Sequence, residues 1–289
     1  ETLKIKHKSM IQVSFSVFKL ISDDFLQSLP LIEIKGVVQT LVQYVSQDID
    51  LNVSFSSISY FWVVGDYLRS SESLAKSNET FEAILDDGHY FSLNHEHENL
   101  LSLLSSEKLT VAETYTTLWL FLLQSLINCS QDKRLEVKNG AIKTFFQIID
   151  SHSSFLPSWN LVFDRILIPF LGSTHADIPP EFADITLKGL LQVFDLHFNN
   201  IPPIKSDNTQ KWSKLLDFVS CCLHSKNYDT VFTGFDNLKK ILQSCERQEF
   251  STDFFDQCFV TWKQYEIDYT DFSQSDKKTN YDCIDTVSY

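Results

Sequence analysis

"DKRLEVKNGAIKTFFQIID", residues 132–150, decides the fold because it has a double in the chain. Set against "DIDLNVSFSSISYFWVVGD", residues 48–66, it brings Asp132 onto Asp48, Val137 onto Val53, Ala141 onto Ser57 and Ile142 onto Ile58. Phe145 then meets Phe61, Phe146 meets Trp62 and Asp150 meets Asp66. The shared apolar positions fall about three or four residues apart, the spacing of one helix face. Val137 stands 84 residues after Val53, which reads as two periods of 42. A third copy places Ile185, Gly189, Leu190, Val193 and Phe194 on the same positions 48 residues on, and a weaker fourth runs through Thr230, Gly234, Phe235 and Leu238 after a further 45. Periods of about 40–47 with two helices per unit are those of HEAT and armadillo arrays. A helix pair with apolar residues on more than one face cannot bury them alone, so neighbouring pairs must stack. The pattern predicts an all-α, HEAT/armadillo-like solenoid of stacked antiparallel helix pairs. The small residue of each copy (Ser57, Ala141, Gly189, Gly234) falls where two helices pass closely.

Helical periodicity extends outward from the repeats. "SMIQVSFSVFKLISDDFLQSL" (9–29) puts Ile11, Phe15, Phe18 and Ile21 on one face, and "TVAETYTTLWLFLLQSLINCS" (110–130) reads as a long buried helix. Short polar or Pro-containing breaks separate further apolar-periodic segments up to about residue 266, which is how an all-α chain is punctuated. Residues 71–109 are rich in Ser, Asn, Glu and His with weak apolar pattern, and 267–289 are acidic and polar. We expect a polar insertion within the solenoid of 1–266 and a loose tail after it.

The composition removes several functions. Lys and Arg number 24 against 38 Asp and Glu, a net charge of −14. Such a surface opposes the phosphate neutralisation that drives nucleic-acid binding and is repelled by anionic lipid. We therefore expect neither nucleic acid nor direct membrane contact. Seven glycines, scattered singly, leave no Gly-rich loop to converge backbone N–H groups on a phosphate. The six cysteines (Cys129, Cys221, Cys222, Cys245, Cys258, Cys283) include no C-x-x-C pair and form no disulfide framework, which fits reduced thiols in a cytoplasmic protein. No apolar run is long enough to cross a bilayer. Asn52, Asn78 and Asn128 begin N-x-S/T triplets, but Asn52 and Asn128 lie in or beside strongly apolar segments. The chain opens on Glu1 with no signal-like segment, which predicts a piece of a longer protein.

Few residues invite a chemical reading. His89, His95 and His97, with Glu96 and Glu98, resemble a metal cluster, but two histidines two apart on a helix face away from each other. "SSEK" (105–108), "SDN" (206–208) and "KTN" (278–280) mimic the three motifs of serine β-lactamases, without the Gly of the third and without a sheet to converge them. We expect no catalytic residue, no cofactor site and no metal site. Trp62, Trp119, Trp159, Trp212 and Trp262 lack the interleaved basic residues of a single-strand binder, so they read as core, seam or partner anchors. In the opening stretch, Asp132 is expected to contact backbone N–H groups at a helix start and Lys138 to reach an Asp of the neighbouring repeat. Asp48, Val53, Ile58, Trp62, Asp66, Asp132, Arg134, Val137, Lys138, Ala141, Phe145 and Trp159 are then the structural positions of the repeat; any partner-binding residues stay unassigned.

Two segments carry a family resemblance. "DIDLNVSFSSISYFWVVGD" is similar to the N-(I/V)-S-(L/F)-x-(A/S)-I-x-x-x-W-x-(I/V)-x-D segment of the Mon-two (monensin-sensitivity) family, a branch related to the large Arf guanine-nucleotide exchange factors. "RLEVKNGAIKTFFQIIDSHSSFLPSWNLVFDRILIPFL" resembles its R-x-E-(V/I)-x-N-(G/S)-A-(I/L)-x-T-(L/F)-F module, closed by a Trp, here Trp159. Trp62 and Asp66 favour this branch over the exchange factors proper. The resemblance covers roughly residues 10–245, strong at 48–66 and 132–171 and absent from 71–109 and the tail. It implies a scaffold without the catalytic exchange domain, peripheral on the trans-Golgi network and endosomes, acting in protein recycling. It further implies association with a Dopey-family scaffold, an Arf-like GTPase and a flippase complex. A homodimer also fits. The alternatives are the regulatory helical domain of an active Arf exchange factor and, from another class, a hydrolase or metal enzyme.

Overall fold

A computed structural model of the chain describes residues 2–75, 99–105, 109–173, 178–197, 209–247 and 252–263. The histidine-rich segment with His89, His95 and His97, most of "SSEK", all of "SDN" and "KTN", Asn78, Cys283 and the tail lie outside these residues, as do the side chains of Phe194, Trp212 and Cys245. The described residues are mostly helical and contain no strand, so the all-α expectation holds. They divide into two compact units, Glu1–Ile166 and Leu167–Tyr289.

The first unit is a two-layer stack. Helix α1 (Thr2–Asp24) is followed, after two 3₁₀ turns around Pro30, by α2 (Ile34–Ser46) and α3 (Leu51–Ser70). The short α4 (Glu72–Ala75) and α5 (Leu100–Leu104) precede α6 (Val111–Cys129) and α7 (Leu135–Ser151), and the turn α8 (Trp159–Val162) follows near the end of the unit. α2 pairs with α3 and α6 with α7, while α2 packs on α6 and α3 on α7. Within a pair the helices run antiparallel: the end of α2 meets the start of α3 where Gln47 donates to the Ser54 hydroxyl, and Tyr67 near the end of α3 donates to the Leu29 carbonyl ahead of α2. Within a layer they run parallel. Gly140 of α7 faces Phe55 and Ile58 of α3, and further along Gly65 of α3 faces Ile148 and His152. α1 joins the same layer, since Gln12 bonds Asp50 at the start of α3 and, eleven residues on, Asp23 accepts from Tyr60 in its middle.

This arrangement corrects the period. The two matched segments are α3 and α7, and they lie directly against each other. The 84-residue step is therefore one repeat carrying an insertion, because spacing alone does not distinguish inserted chain from a further repeat. The insertion is also not wholly loose. Asn99 caps α5 by accepting from the Leu101 N–H, and Leu100, Leu103 and Leu104 are buried against α6. α6 itself opens with a capping box between Thr110 and Glu113 and buries side chains on nearly every face, as a helix in the middle of a stack must.

The second unit repeats the scheme with α9 (Ile168–Ser173), α10 (Pro180–His197), α11 (Thr209–Leu223), α12 (Tyr228–Arg247) and α13 (Thr252–Lys263). α9, α11 and α13 form one layer; α10 packs on α12, and α11 pairs with α12. The third and fourth sequence copies are α10 and α12, equivalent helices one period apart. Gly234 of α12 shows why the position is small: a Cβ there would stand 3.0 Å from Leu223 Cδ2 and 3.3 Å from Cys222 Cβ.

Candidate functional site

Two polar nodes of the first unit stand one at each end of the α3–α7 seam. The first is built on α3's N-terminus. Asp50, not the aligned Asp48, caps this helix: its carboxylate accepts from the Asn52 N–H at 3.0 Å and from Gln12 of α1 at 2.6 Å, with Lys8 at 3.7 Å. Burial alone would raise the Asp50 pKa, but these donors outweigh it and hold the carboxyl below the usual range. Gln47 closes the α2–α3 corner by accepting from the N–H groups of Ile49 and Asp50 and donating to the Asp50 carbonyl and Ser54.

Arg134 ties this corner to α7. Its guanidinium donates to the Val45 carbonyl at 2.7 Å, the Gln47 carbonyl at 2.8 Å and the Ser54 hydroxyl at 3.2 Å, thus capping the C-terminus of α2 from the next repeat. Asp132 holds it by two hydrogen bonds, to Nε at 2.9 Å and Nη2 at 2.8 Å, and also accepts from the Arg134 N–H. The Arg134 hydrogen bond is the main reason the Asp132 pKa is lowered, and the same pair raises that of Arg134. Asp132 thus contacts a backbone N–H at the start of α7, and Arg134 reaches across to the neighbouring repeat. Lys138 is half-buried one turn further along α7, and Asp48 is exposed near Arg134, adding to its charge stabilisation. Val53, Ile58, Val137, Ala141 and Phe145 are buried along the seam between the nodes. Trp159 is buried at the start of α8, its ring 6.3 Å from Phe163.

The second node centres on His152, which ends α7 and is 1% exposed. Its imidazole lies between Trp62 of α3 and Trp119 of α6, centroids 5.2 and 5.8 Å away, over the bare Cα of Gly65. Asp66 Oδ1 stands 3.7 Å from Nε2, and neither ring nitrogen hydrogen-bonds another protein group. Arg69 lies over the Phe155 ring, and Tyr115 of α6 donates to the Phe155 carbonyl at 3.2 Å. Trp62 and Asp66, both on α3, therefore address this histidine together. Sequence reasoning missed His152, since one histidine at the end of an apolar helix has no signal of its own; Asp50, by contrast, is a cap residue just before an apolar run.

Desolvation lowers the His152 pKa; Asp66 opposes this and Arg69 assists it. The unfolded chain, titrating near 6.5, then binds the proton more readily than the folded one. The contribution is intact above about pH 6.5 and is lost as pH falls through that value toward the folded pKa. Thermal melts at pH 7.5 and 5.5 should show a fall in Tm on acidification that is smaller in His152→Gln, the shared carboxylates cancelling in the comparison.

Among the described residues no group of three His, Cys, Asp or Glu side chains is placed to hold a metal ion, and no helix is long and apolar enough to cross a membrane. The buried thiols of Cys129, Cys222 and Cys258 are pushed up to about 12 by desolvation, far from the thiolate a nucleophile needs.

Stacked antiparallel pairs, parallel within each layer and locked by side chains at helix ends, define a protein of the α-helical repeat class. The sequence profile of the C-terminal region of Mon2 protein matches residues 23–179, and the chain belongs to this family. Protein MON2 of Saccharomyces cerevisiae is 42% identical over 96% of this chain and 17% of its own length. The human Protein MON2 homolog is 24% identical over 82% of the chain and 15% of its own. The chain thus spans about a sixth of the relatives it matches most fully. No solved structure matches it.

Proposed function

We propose that this region is a non-catalytic helical-repeat scaffold in endosome and trans-Golgi vesicle trafficking and protein recycling. It works from the cytoplasmic side as a peripheral component and binds protein partners. The observation that carries the reading is where its polar chemistry goes. Asp50, Gln47, Asp132 and Arg134 are engaged at helix ends, where they join repeats. Membership of the Mon2 family supports the trafficking role, and the resemblance names the partners: a Dopey-family scaffold, an Arf-like GTPase and a flippase complex. The net charge of −14 supports membrane association through those partners rather than through anionic lipid.

Affinity purification of the full-length protein from its host, with identification of what co-elutes, tests this. A stable complex with the Dopey-family protein is expected, and no acceleration of GDP release from Arf proteins. Recovery of general solubility factors alone overturns the scaffold assignment, and accelerated release moves the protein to the active exchange factors.

A further inference from the structure

The outer face of α1 is the largest run of exposed apolar side chains on one described helix. Met10, Val13, Val17, Leu20 and Ile21, with Phe25 just beyond, are between 43% and 65% exposed. Their spacing of three and four residues makes a continuous seam about as long as the apolar face of α2 or α7. The opposite face is already occupied, with the rings of Phe15 and Phe18 packed against Tyr44 of α2 and Tyr60 of α3.

Three observations say what covers the seam. The first is topological. α1 runs parallel to α3 in the layer that continues into α7, and α3 and α7 each have an antiparallel partner, α2 and α6, that precedes them in the chain. In that pattern α1 takes the position of a second helix, the one whose partner precedes it in the chain. The second is electrostatic. α1 has no acidic residue in its first turn and no basic residue in its last, where it carries Asp23 and Asp24; His7 and Lys8 lie toward its start. These charges oppose its own macrodipole, but an antiparallel neighbour would bring the negative end of its dipole to the basic end of α1 and its positive end to the acidic one. The third is length. The matched profile is of a C-terminal region, and the yeast relative devotes 17% of its chain to the match, so it has ample chain upstream to supply such a helix.

We propose that the α1 seam is an intramolecular docking surface for an amphipathic helix immediately upstream of Thr2 in the full-length polypeptide. It packs antiparallel to α1 and continues the stack toward the N-terminus. That helix presents apolar residues at a/d-like spacing to Val13, Val17 and Leu20.

The test is photo-cross-linking in the full-length protein, with p-benzoylphenylalanine replacing Val17 in one preparation and Leu20 in a second, so that failure of one variant to fold leaves the other. Isotopically light and heavy copies are mixed before irradiation and the products mapped by mass spectrometry. The expected product lies within one copy and joins the probe to a residue in the preceding repeat, about 40 residues upstream of Thr2 or fewer. A light–heavy product assigns the seam to a second copy, and a product with another protein or a lipid assigns it elsewhere; either overturns the proposal. A seam that gives no product at both positions is open to solvent, which also overturns it. These outcomes do not depend on which trafficking partners the protein binds.

Discussion

Trp119→Ala should lower the stability of the first unit by about 4 kcal/mol, the range for deleting a fully buried Trp. Trp119 is 0% exposed, midway along α6, and its ring meets Tyr115 at 6.4 Å and His152 at 5.8 Å. α6 has helices on most sides, so the space left behind cannot close by a shift of one neighbour. A fall in Tm of about 2–4 °C per kcal/mol, read by circular dichroism, gives a total of about 8–16 °C. The same variant carries a second signature. Water entering the space beside the imidazole reduces the desolvation that depresses the His152 pKa. The acid sensitivity of Tm should therefore shrink along with stability. Loss of stability with unchanged acid sensitivity would mean that Trp119 packs α6 but does not keep His152 dry.

Much of this architecture is legible in the sequence, and what is not has a physical reason. Apolar periodicity locates the helices because burying one face is what makes them stable. The match of Val53, Ile58 and Phe61 to Val137, Ile142 and Phe145 identifies α3 and α7 as equivalents because both face their neighbours in the same way. The period fails at the 84-residue step because chain inserted between α3 and α6 leaves both seams intact. The alignment also does not show where α3 is capped. Asp48 aligns with Asp132, but the α2–α3 corner turns through Gln47 and the helix begins after Asp50. His152 escapes altogether. Its surroundings come from α3, α6 and α7, more than thirty residues apart in the chain, and only the folded stack shows that Trp62 and Asp66 converge on it.

Arg134→Ala should cost about 3 kcal/mol, and Arg134→Lys should recover little of it. The truncation leaves the Asp132 carboxylate, the Val45 and Gln47 carbonyls and the Ser54 hydroxyl without the donor that now joins them. Breaking such a group by removing one partner costs about 3–5 kcal/mol when buried. The Arg134 and Asp132 side chains are 26% and 16% exposed, so water repairs part of the damage and the lower end applies. Lysine fails for geometric reasons: an ammonium is a point donor and cannot span two carbonyls while lying flat against a carboxylate. The neighbouring Lys133, which is exposed, serves as control, and Lys133→Ala should stay within about 0.5 kcal/mol of the parent. Denaturant unfolding of the four proteins measures all of this at once. The pattern also decides what the charges in "DKRLEVKNG" are for. If Arg134→Ala and Arg134→Lys unfold like the parent yet lose a partner, Arg134 belongs to a binding surface. If both lose stability and Lys133→Ala does not, its charge is the bolt between two repeats, and recognition must be sought on the outer faces of the stack.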